Sequence, residues 1–180
     1  MILWLLPVLV ILAVLGYALI TRETDDTALM APRVGKPLAD FTLPDLQGRP
    51  VQLAALRGKV VFVNIWATWC PPCIEEMPTI QQLYERLHPQ GLEVLAVSLD
   101  ALGLQVVGPF MQSRRLTFPA LLDVKSTLQR LYRTTGVPES FLLDRQGLLV
   151  EKVVGPRDWV HPQMLALFER LLADNQPRGQ

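Results

Sequence analysis

The sequence contains little cysteine: only Cys70 and Cys73 occur among its 180 residues. A small domain held together by disulfides would carry several pairs spread along its length, so a hydrophobic core has to stabilise this one. Two thiols are also too few for a structural zinc site, and the two histidines, His88 and His161, lie far from them in the sequence. The cysteine content therefore argues against a disulfide scaffold and against a zinc site.

The sequence also lacks an excess of charge of either sign, because 17 Lys and Arg residues balance 17 Asp and Glu residues. Without a basic patch to attract phosphate groups, nucleic-acid binding is not expected. The length leaves room for a membrane anchor and one domain of about 140 residues that buries its own core, but not for a second catalytic domain. We therefore predict a single folded domain.

Charged side chains are absent from residues 1–20. A helix of that length spans about 30 Å, the thickness of the hydrocarbon core of a bilayer, so we predict a transmembrane anchor in the lipid bilayer. A cleaved signal peptide is the alternative: it would have a basic start and a shorter apolar run, although Gly16-Tyr17-Ala18 resembles a weak cleavage site. Residues 21–33 are polar and acidic and predict a tether, and residues 174–180 predict a disordered tail.

Between the tether and the tail, at residues 34–173, the apolar spacing predicts alternating strands and helices. Runs of β-branched and aromatic residues predict strands at residues 60–66, 92–99, 141–143 and 148–154, after a hairpin-like segment at residues 41–56. Apolar residues recurring every three or four positions, with proline and glycine signals, predict helices at residues 72–87, 109–116, 126–132 and 160–172. This order predicts a three-layer α/β domain with a mixed central β-sheet.

The motif Cys70-Pro71-Pro72-Cys73 directly follows a predicted buried strand and opens a predicted helix. Unpaired N–H groups and the dipole at the start of a helix stabilise a thiolate, so Cys70 is predicted to be the attacking nucleophile and Cys73 to resolve the mixed disulfide. Pro72 suits a first helical turn, and both prolines stiffen the ring that a disulfide would close. The pattern predicts a redox role, in either direction of exchange.

The segment Trp66-Ala67-Thr68-Trp69-Cys70-Pro71-Pro72-Cys73 resembles the active-site signature of the thioredoxin superfamily, in particular its extracytoplasmic TlpA/ResA/CcmG branch. Residues 40–45, 56–61, 76–78 and 136–144 are similar to that branch in order and spacing, so the resemblance covers residues 34–172. It implies a thioredoxin-like fold after one N-terminal transmembrane helix. It also implies a single-pass protein of the bacterial cytoplasmic membrane with its catalytic domain on the periplasmic side.

The same resemblance implies how a client protein would be bound. Pro138 would be a cis-proline that faces the cysteine pair, and the backbone of Val137 would pair with the client like an added strand. Trp69 is expected at the exposed rim of the site and Trp66 in the core, because the edge of the motif must admit a partner. Trp159 follows a segment similar to TlpA-type proteins, and we expect it to pack in the core.

Acidic residues are the third feature that the resemblance implies. Thioredoxin has a buried aspartate six residues before its first active-site cysteine, whereas this chain has Asn64 there. Relatives of the CcmG type have acidic residues near the thiols, and Glu76 and Glu139 match those positions. Either carboxylate is a candidate proton acceptor for Cys73, or would raise the thiol pKa by repulsion, and an ordinary surface charge is the competing interpretation.

The function implied is reduction of disulfides in extracytoplasmic proteins, in cytochrome c or copper-site maturation, without a metal or other cofactor. The partners implied are disulfide-bearing clients and a membrane electron donor of the DsbD or CcdA type. A thiol oxidase would use the same residues in reverse, and a non-catalytic copper or haem chaperone would use the cysteines as ligands. A peroxidase is disfavoured, because Ala67 stands where a Thr or Ser would be needed.

Overall fold

A computed structural model of the chain describes residues 31–174. The predicted anchor at residues 1–20 and most of the predicted tether and tail lie outside this range. Within it, no helix has the length and apolar character that a membrane crossing requires.

The described residues form seven strands and four helices. The strands are β1 (Thr42–Pro44), β2 (Pro50–Gln52), β3 (Val60–Trp66), β4 (Leu92–Ser98), β5 (Ala120–Leu122), β6 (Glu139–Leu143) and β7 (Leu149–Val154). The helices are α1 (Pro71–Leu87), α2 (Leu104–Ser113), α3 (Thr127–Leu131) and α4 (Pro162–Ala173), with 3₁₀ turns at Leu53–Leu56 and His88–Gln90.

The central sheet has five strands in the order β5-β4-β3-β6-β7, and β1 and β2 form a separate hairpin. Strand β3 runs parallel to β4 and antiparallel to β6, while β4 and β5 are parallel and β6 and β7 antiparallel. All seven residues of β3 are buried, since this strand lies in the middle of the sheet between two covered faces. The mixed sheet that the sequence predicts is confirmed.

Alternate residues of β3 face two separate apolar clusters. Phe62 and Trp66 point to one face, where they pack with apolar residues of α1, α2 and α4. Val63 and Ile65 point to the other face, where α3 and the β1–β2 hairpin supply the cover. The sheet is therefore the middle layer, and its two faces present different surroundings to any side chain placed on them.

One prediction of local structure is wrong, and one strand was not predicted. Helix α2 begins at Leu104 rather than at residue 109, and Pro109 lies inside it, where only the carbonyl of Gln105 loses its usual i+4 donor. Strand β5 was not predicted, because three residues between two longer elements give no readable alternation. β5 pairs in parallel with β4, with Ala120 opposite Ala96, so its place follows from a tertiary contact and not from its own sequence.

Candidate active site

Cys70 and Cys73 are joined by a disulfide at the start of α1. Cys70 is the N-cap residue of that helix, and its Sγ accepts a hydrogen bond from the N–H of Cys73 at 3.2 Å. Pro71 and Pro72 occupy the first two helical positions, where a missing N–H removes no intrahelical bond. When the disulfide is reduced, the same N–H and the helix dipole stabilise a thiolate on Cys70.

A buried aspartate holds the turn that leads from β3 into the disulfide. Asp100, just beyond β4, accepts hydrogen bonds from the N–H of Thr68 at 2.9 Å and from its hydroxyl at 2.6 Å. The hydroxyl of Ser98 donates to the same carboxylate at 2.7 Å. The sequence analysis missed Asp100, because its contact with Thr68 spans 32 residues and follows only from the parallel pairing of β3 with β4.

The loop before β6 forms the other side of the disulfide. The peptide bond between Val137 and Pro138 is cis, as the resemblance implied, and the carbonyl oxygen of Val137 lies 3.5 Å from the Sγ of Cys70. Trp69 is 66% exposed beside this edge, whereas Cys70 is only 4% exposed. A client that reaches the sulfur of Cys70 therefore meets the backbone of Val137 and the exposed side chain of the residue before Cys70.

Glu76 lies on α1 three residues after Cys73, one helical turn on, and both side chains are buried against the sheet. Its carboxylate accepts hydrogen bonds from the Nδ2 of Asn64 at 2.8 Å, from the Nε1 of Trp159 at 2.9 Å and from the N–H of Arg157 at 3.1 Å. Burial raises the pKa of Glu76, and these three hydrogen bonds lower it by less. The side chain is a buried carboxyl beside the resolving cysteine.

Glu139 lies on the opposite face of the sheet. Ser140, its neighbour on β6, faces Asn64 and α1, so successive side chains on the strand place Glu139 on the face that α3 covers. One oxygen of its fully buried carboxylate lies 2.5 Å from the Nζ of Lys152, and the other accepts the N–H of Thr135 at 3.3 Å. The hydrogen bond from Thr135 thus closes the loop that carries the cis-proline onto Glu139, and the ion pair with Lys152 ties that carboxylate to β7.

The structure brings most of the candidate residues together. Val137 approaches the disulfide directly and Trp69 flanks it, while Glu76 lies on the face of Cys73 and Glu139 on the other face. Trp66 is in the core, and Glu75 is exposed. Trp159 is buried as expected, but it also donates to Glu76, a contact 83 residues apart that no local pattern indicates.

Fold and site together define the class of the protein: a thioredoxin-like fold with one helix-capping disulfide, built to exchange thiols and disulfides. Solved structures agree with that class. A putative thiol:disulfide interchange protein DsbE from Chlorobium tepidum superposes with a TM-score of 0.73 at 31% identity, covering 79% of this chain and 100% of the other. StoA from Bacillus subtilis gives a TM-score of 0.60 at 29% identity, covering 73% and 95%.

The chain belongs to the AhpC/TSA family, whose model matches residues 34–152. Among curated proteins, the thiol-disulfide oxidoreductase ResA of Geobacillus kaustophilus is 37% identical over 147 residues, which are 82% of this chain and 83% of the relative. The resemblance to the ResA branch is therefore confirmed. This protein is a thiol-disulfide oxidoreductase, and the Cys70–Cys73 disulfide is its redox pair.

Proposed function

We propose that the protein works as a reductase of disulfides in extracytoplasmic proteins, held at the bacterial cytoplasmic membrane by residues 1–20. The observation that carries this proposal is the single redox disulfide at the start of α1, with the backbone of Val137 in contact with Cys70 and the exposed Trp69 preceding it. The apolar, uncharged first twenty residues support the anchor. The likeness to proteins named ResA and DsbE supports the thiol chemistry.

The reaction proceeds in two exchange steps. The Cys70 thiolate attacks one sulfur of the client disulfide, a new S–S bond forms, and the other client sulfur leaves as a thiolate that takes up a proton. Cys73 then loses its proton and attacks the Sγ of Cys70, which releases the second client sulfur and closes the protein disulfide. Two electrons pass from the protein to the client, so a dithiol donor must reduce the protein again.

Clients and donor follow from the TlpA/ResA/CcmG resemblance. The clients would be apocytochromes c or proteins that assemble copper sites, both of which need free thiols outside the cytoplasm. The donor would be a membrane protein of the DsbD or CcdA type that brings electrons across the bilayer. A reductase of this kind acts against an oxidising compartment, so its potential has to be low.

The decisive measurement is the reduction potential of the Cys70/Cys73 pair, by equilibration of the full-length chain in mild detergent with glutathione or dithiothreitol. A value near or below about −200 mV is the expected result for a dedicated reductase. A value near about −120 mV is that of a strong oxidant and would overturn the proposed direction. Stoichiometric, tight Cu(I) binding without reductase activity would instead favour a metal chaperone.

Client capture tests the same proposal in cells. Cys73→Ser leaves the attacking thiol and removes the resolving one, so a mixed disulfide with the client should accumulate. Cys70→Ser is the matched control, since it removes the attacking thiol at the helix start and should trap little. The captured proteins would contradict the proposal if none of them is exported from the cytoplasm.

The anchor has its own test. The full-length chain should remain in the membrane fraction after an alkaline carbonate wash, with the domain digested by protease added from the periplasmic side. A domain that is protected in spheroplasts, or released by the wash, would contradict the proposed location.

A further inference from the structure

Trp159 is tied to the first turns of α1 at two points. Its indole Nε1 donates to the carboxylate of Glu76 at 2.9 Å, and its backbone N–H donates to the hydroxyl of Thr79 at 3.2 Å. The ring is buried and packs against Phe62, with 4.4 Å between centroids, and near Phe168 at 6.5 Å. The indole N–H is therefore aimed at the carboxylate by packing rather than free to swing.

The side-chain partners of Glu76 are neutral. Asn64 on β3 and Trp159 supply amide and indole N–H groups, and Arg157 contributes its backbone N–H rather than its guanidinium. Glu76 also lines a surface pocket that contains three other charged residues. These are Glu75 on α1, and Arg157 and Asp158 on the segment after β7. On the sheet side, Ser140 on β6 reaches it only through Asn64. Burial makes this carboxyl hold its proton, and the hydrogen bonds from neutral donors, with Trp159 first among them, act in the opposite direction and favour its ionised form.

We propose that Trp159 is a positioning residue for disulfide exchange: its indole N–H stabilises the ionised carboxylate of Glu76, and so prepares it to accept the proton of Cys73. The inference rests on Glu76 acting in the resolving step, one turn from Cys73. The proposed role of Trp159 applies to disulfide exchange in both directions, because Cys73 regains a proton when the protein disulfide is reduced. The role goes beyond the packing role that the sequence predicts for this residue.

The test is the pH dependence of the resolving step. Reduced full-length protein is mixed with oxidised glutathione, quenched with acid and alkylated, and the mixed disulfide on Cys70 is followed by mass spectrometry as Cys73 resolves it. In Trp159→Phe the ionised carboxylate loses one donor, so on the acid side of the profile the rate should fall about threefold to tenfold, while the plateau at high pH is largely kept.

Trp66→Phe is the matched control. Trp66 is also a fully buried indole in the same cluster, but its Nε1 has no hydrogen-bond partner among the described residues. Its loss removes similar packing without removing a donor to a carboxylate. The midpoint of its profile should coincide with that of the wild type, and an equal shift in both variants would overturn the inference.

A double variant separates the indole from Glu76. In Glu76→Gln, the fall of the resolving rate at acid pH that is due to this carboxyl disappears. Adding Trp159→Phe to that variant should then leave the pH profile of the rate unchanged. A shift of the same size in the Gln background would show that Trp159 acts by another route and would overturn the inference. If Trp159→Phe does not fold, benzothienylalanine at position 159 keeps the bicyclic shape and lacks the N–H. A profile identical to the wild type for that variant would also overturn the inference.

The outcome is independent of the proposed direction of the enzyme. A reduction potential near that of a strong oxidant would contradict the reductase proposal without changing the pH profiles. Identical pH profiles for the wild type and Trp159→Phe would contradict the role of Trp159 without changing the potential.

Discussion

Glu76 follows the resolving cysteine by three residues and Glu139 directly follows the cis-proline, and these two buried carboxylates have different surroundings on the two faces of the sheet. Glu76 shares a face with Cys73 and receives its hydrogen bonds from neutral N–H groups. Glu139 lies on the other face and forms an ion pair with Lys152. Glu139 is thus committed to a structural ion pair away from the thiols, whereas Glu76 has no cationic side-chain partner and lies one helical turn from Cys73. Burial alone therefore does not indicate the role of a glutamate in this protein, whereas the identity of its hydrogen-bond or ion-pair partner does.

The largest expected effect comes from breaking the ion pair. In Lys152→Met the carboxylate of Glu139 stays fully buried without its cation, and the free energy of unfolding at pH 7 should fall by about 3 kcal/mol. We place the effect at the lower end for a buried pair because the Lys152 side chain is 30% exposed. Urea denaturation of the oxidised protein measures it.

The double variant Lys152→Met with Glu139→Leu is the control for that loss. It removes both charges, so most of the stability should return, because the cost arises from the unpaired charge rather than from the missing pair. A double variant as unstable as Lys152→Met would show that the lost contact of the Lys152 ammonium with the Phe141 ring, rather than the unpaired carboxylate, accounts for the effect.

The next effect comes from placing a second charge beside Glu76. Asn64→Asp puts a carboxylate where the Nδ2 now lies 2.8 Å from the carboxylate of Glu76, and two such groups cannot both be ionised at low cost. The free energy of unfolding should fall by about 2 kcal/mol at pH 8 and by less at pH 5, where the pair shares a proton. Chemical denaturation at the two pH values measures it.

Exchanging the two residues controls for that variant. Asn64→Asp combined with Glu76→Gln restores one carboxylate and one amide donor in the same network, so its stability at pH 8 should return towards that of the wild type. A loss of equal size at pH 5 and pH 8 in the single variant would contradict repulsion as its cause.

The smallest effect is a change of stability with pH. Burial raises the pKa of Glu76 above its ordinary value of 4.5, so the folded protein holds this proton more tightly than the unfolded chain does. The resulting stability is present in full below pH 4.5 and is lost as the pH rises through the folded-state pKa. The stability of the wild type relative to Glu76→Gln should therefore decrease from acid to neutral pH, as chemical denaturation at a series of pH values would show. A difference that grows with pH would contradict the raised pKa.

Elements whose residues carry their own pattern could be predicted from the sequence. Strand β3 was predicted with its observed bounds because its seven buried residues form an unbroken β-branched and aromatic run. Helix α1 was predicted within one residue of its start, from its apolar face and its prolines. The start of α2 was missed because Pro109 is typical of a first turn, yet here the cost of one missing hydrogen bond is tolerated inside the helix.

The site could be predicted as far as its chemistry is local. The two cysteines and the prolines between them are contiguous, so their place at the helix start followed from the pattern. The partners of the carboxylates did not: Lys152 meets Glu139 through the pairing of β6 with β7, and Trp159 meets Glu76 only after α1 packs on the sheet. The face that Glu139 occupies depends on the register of β6, and a shift of one residue would turn its side chain to the other face of the sheet.

Both cysteines of the sequence, Cys70 and Cys73, are used in the one disulfide. These 180 residues therefore contain no second thiol pair to which electrons could be relayed, and no alternative internal disulfide into which the pair could isomerise. One exchange uses the full two-electron capacity of the pair. A second exchange partner has to restore the pair before the same chain can react again, whichever direction the exchange takes.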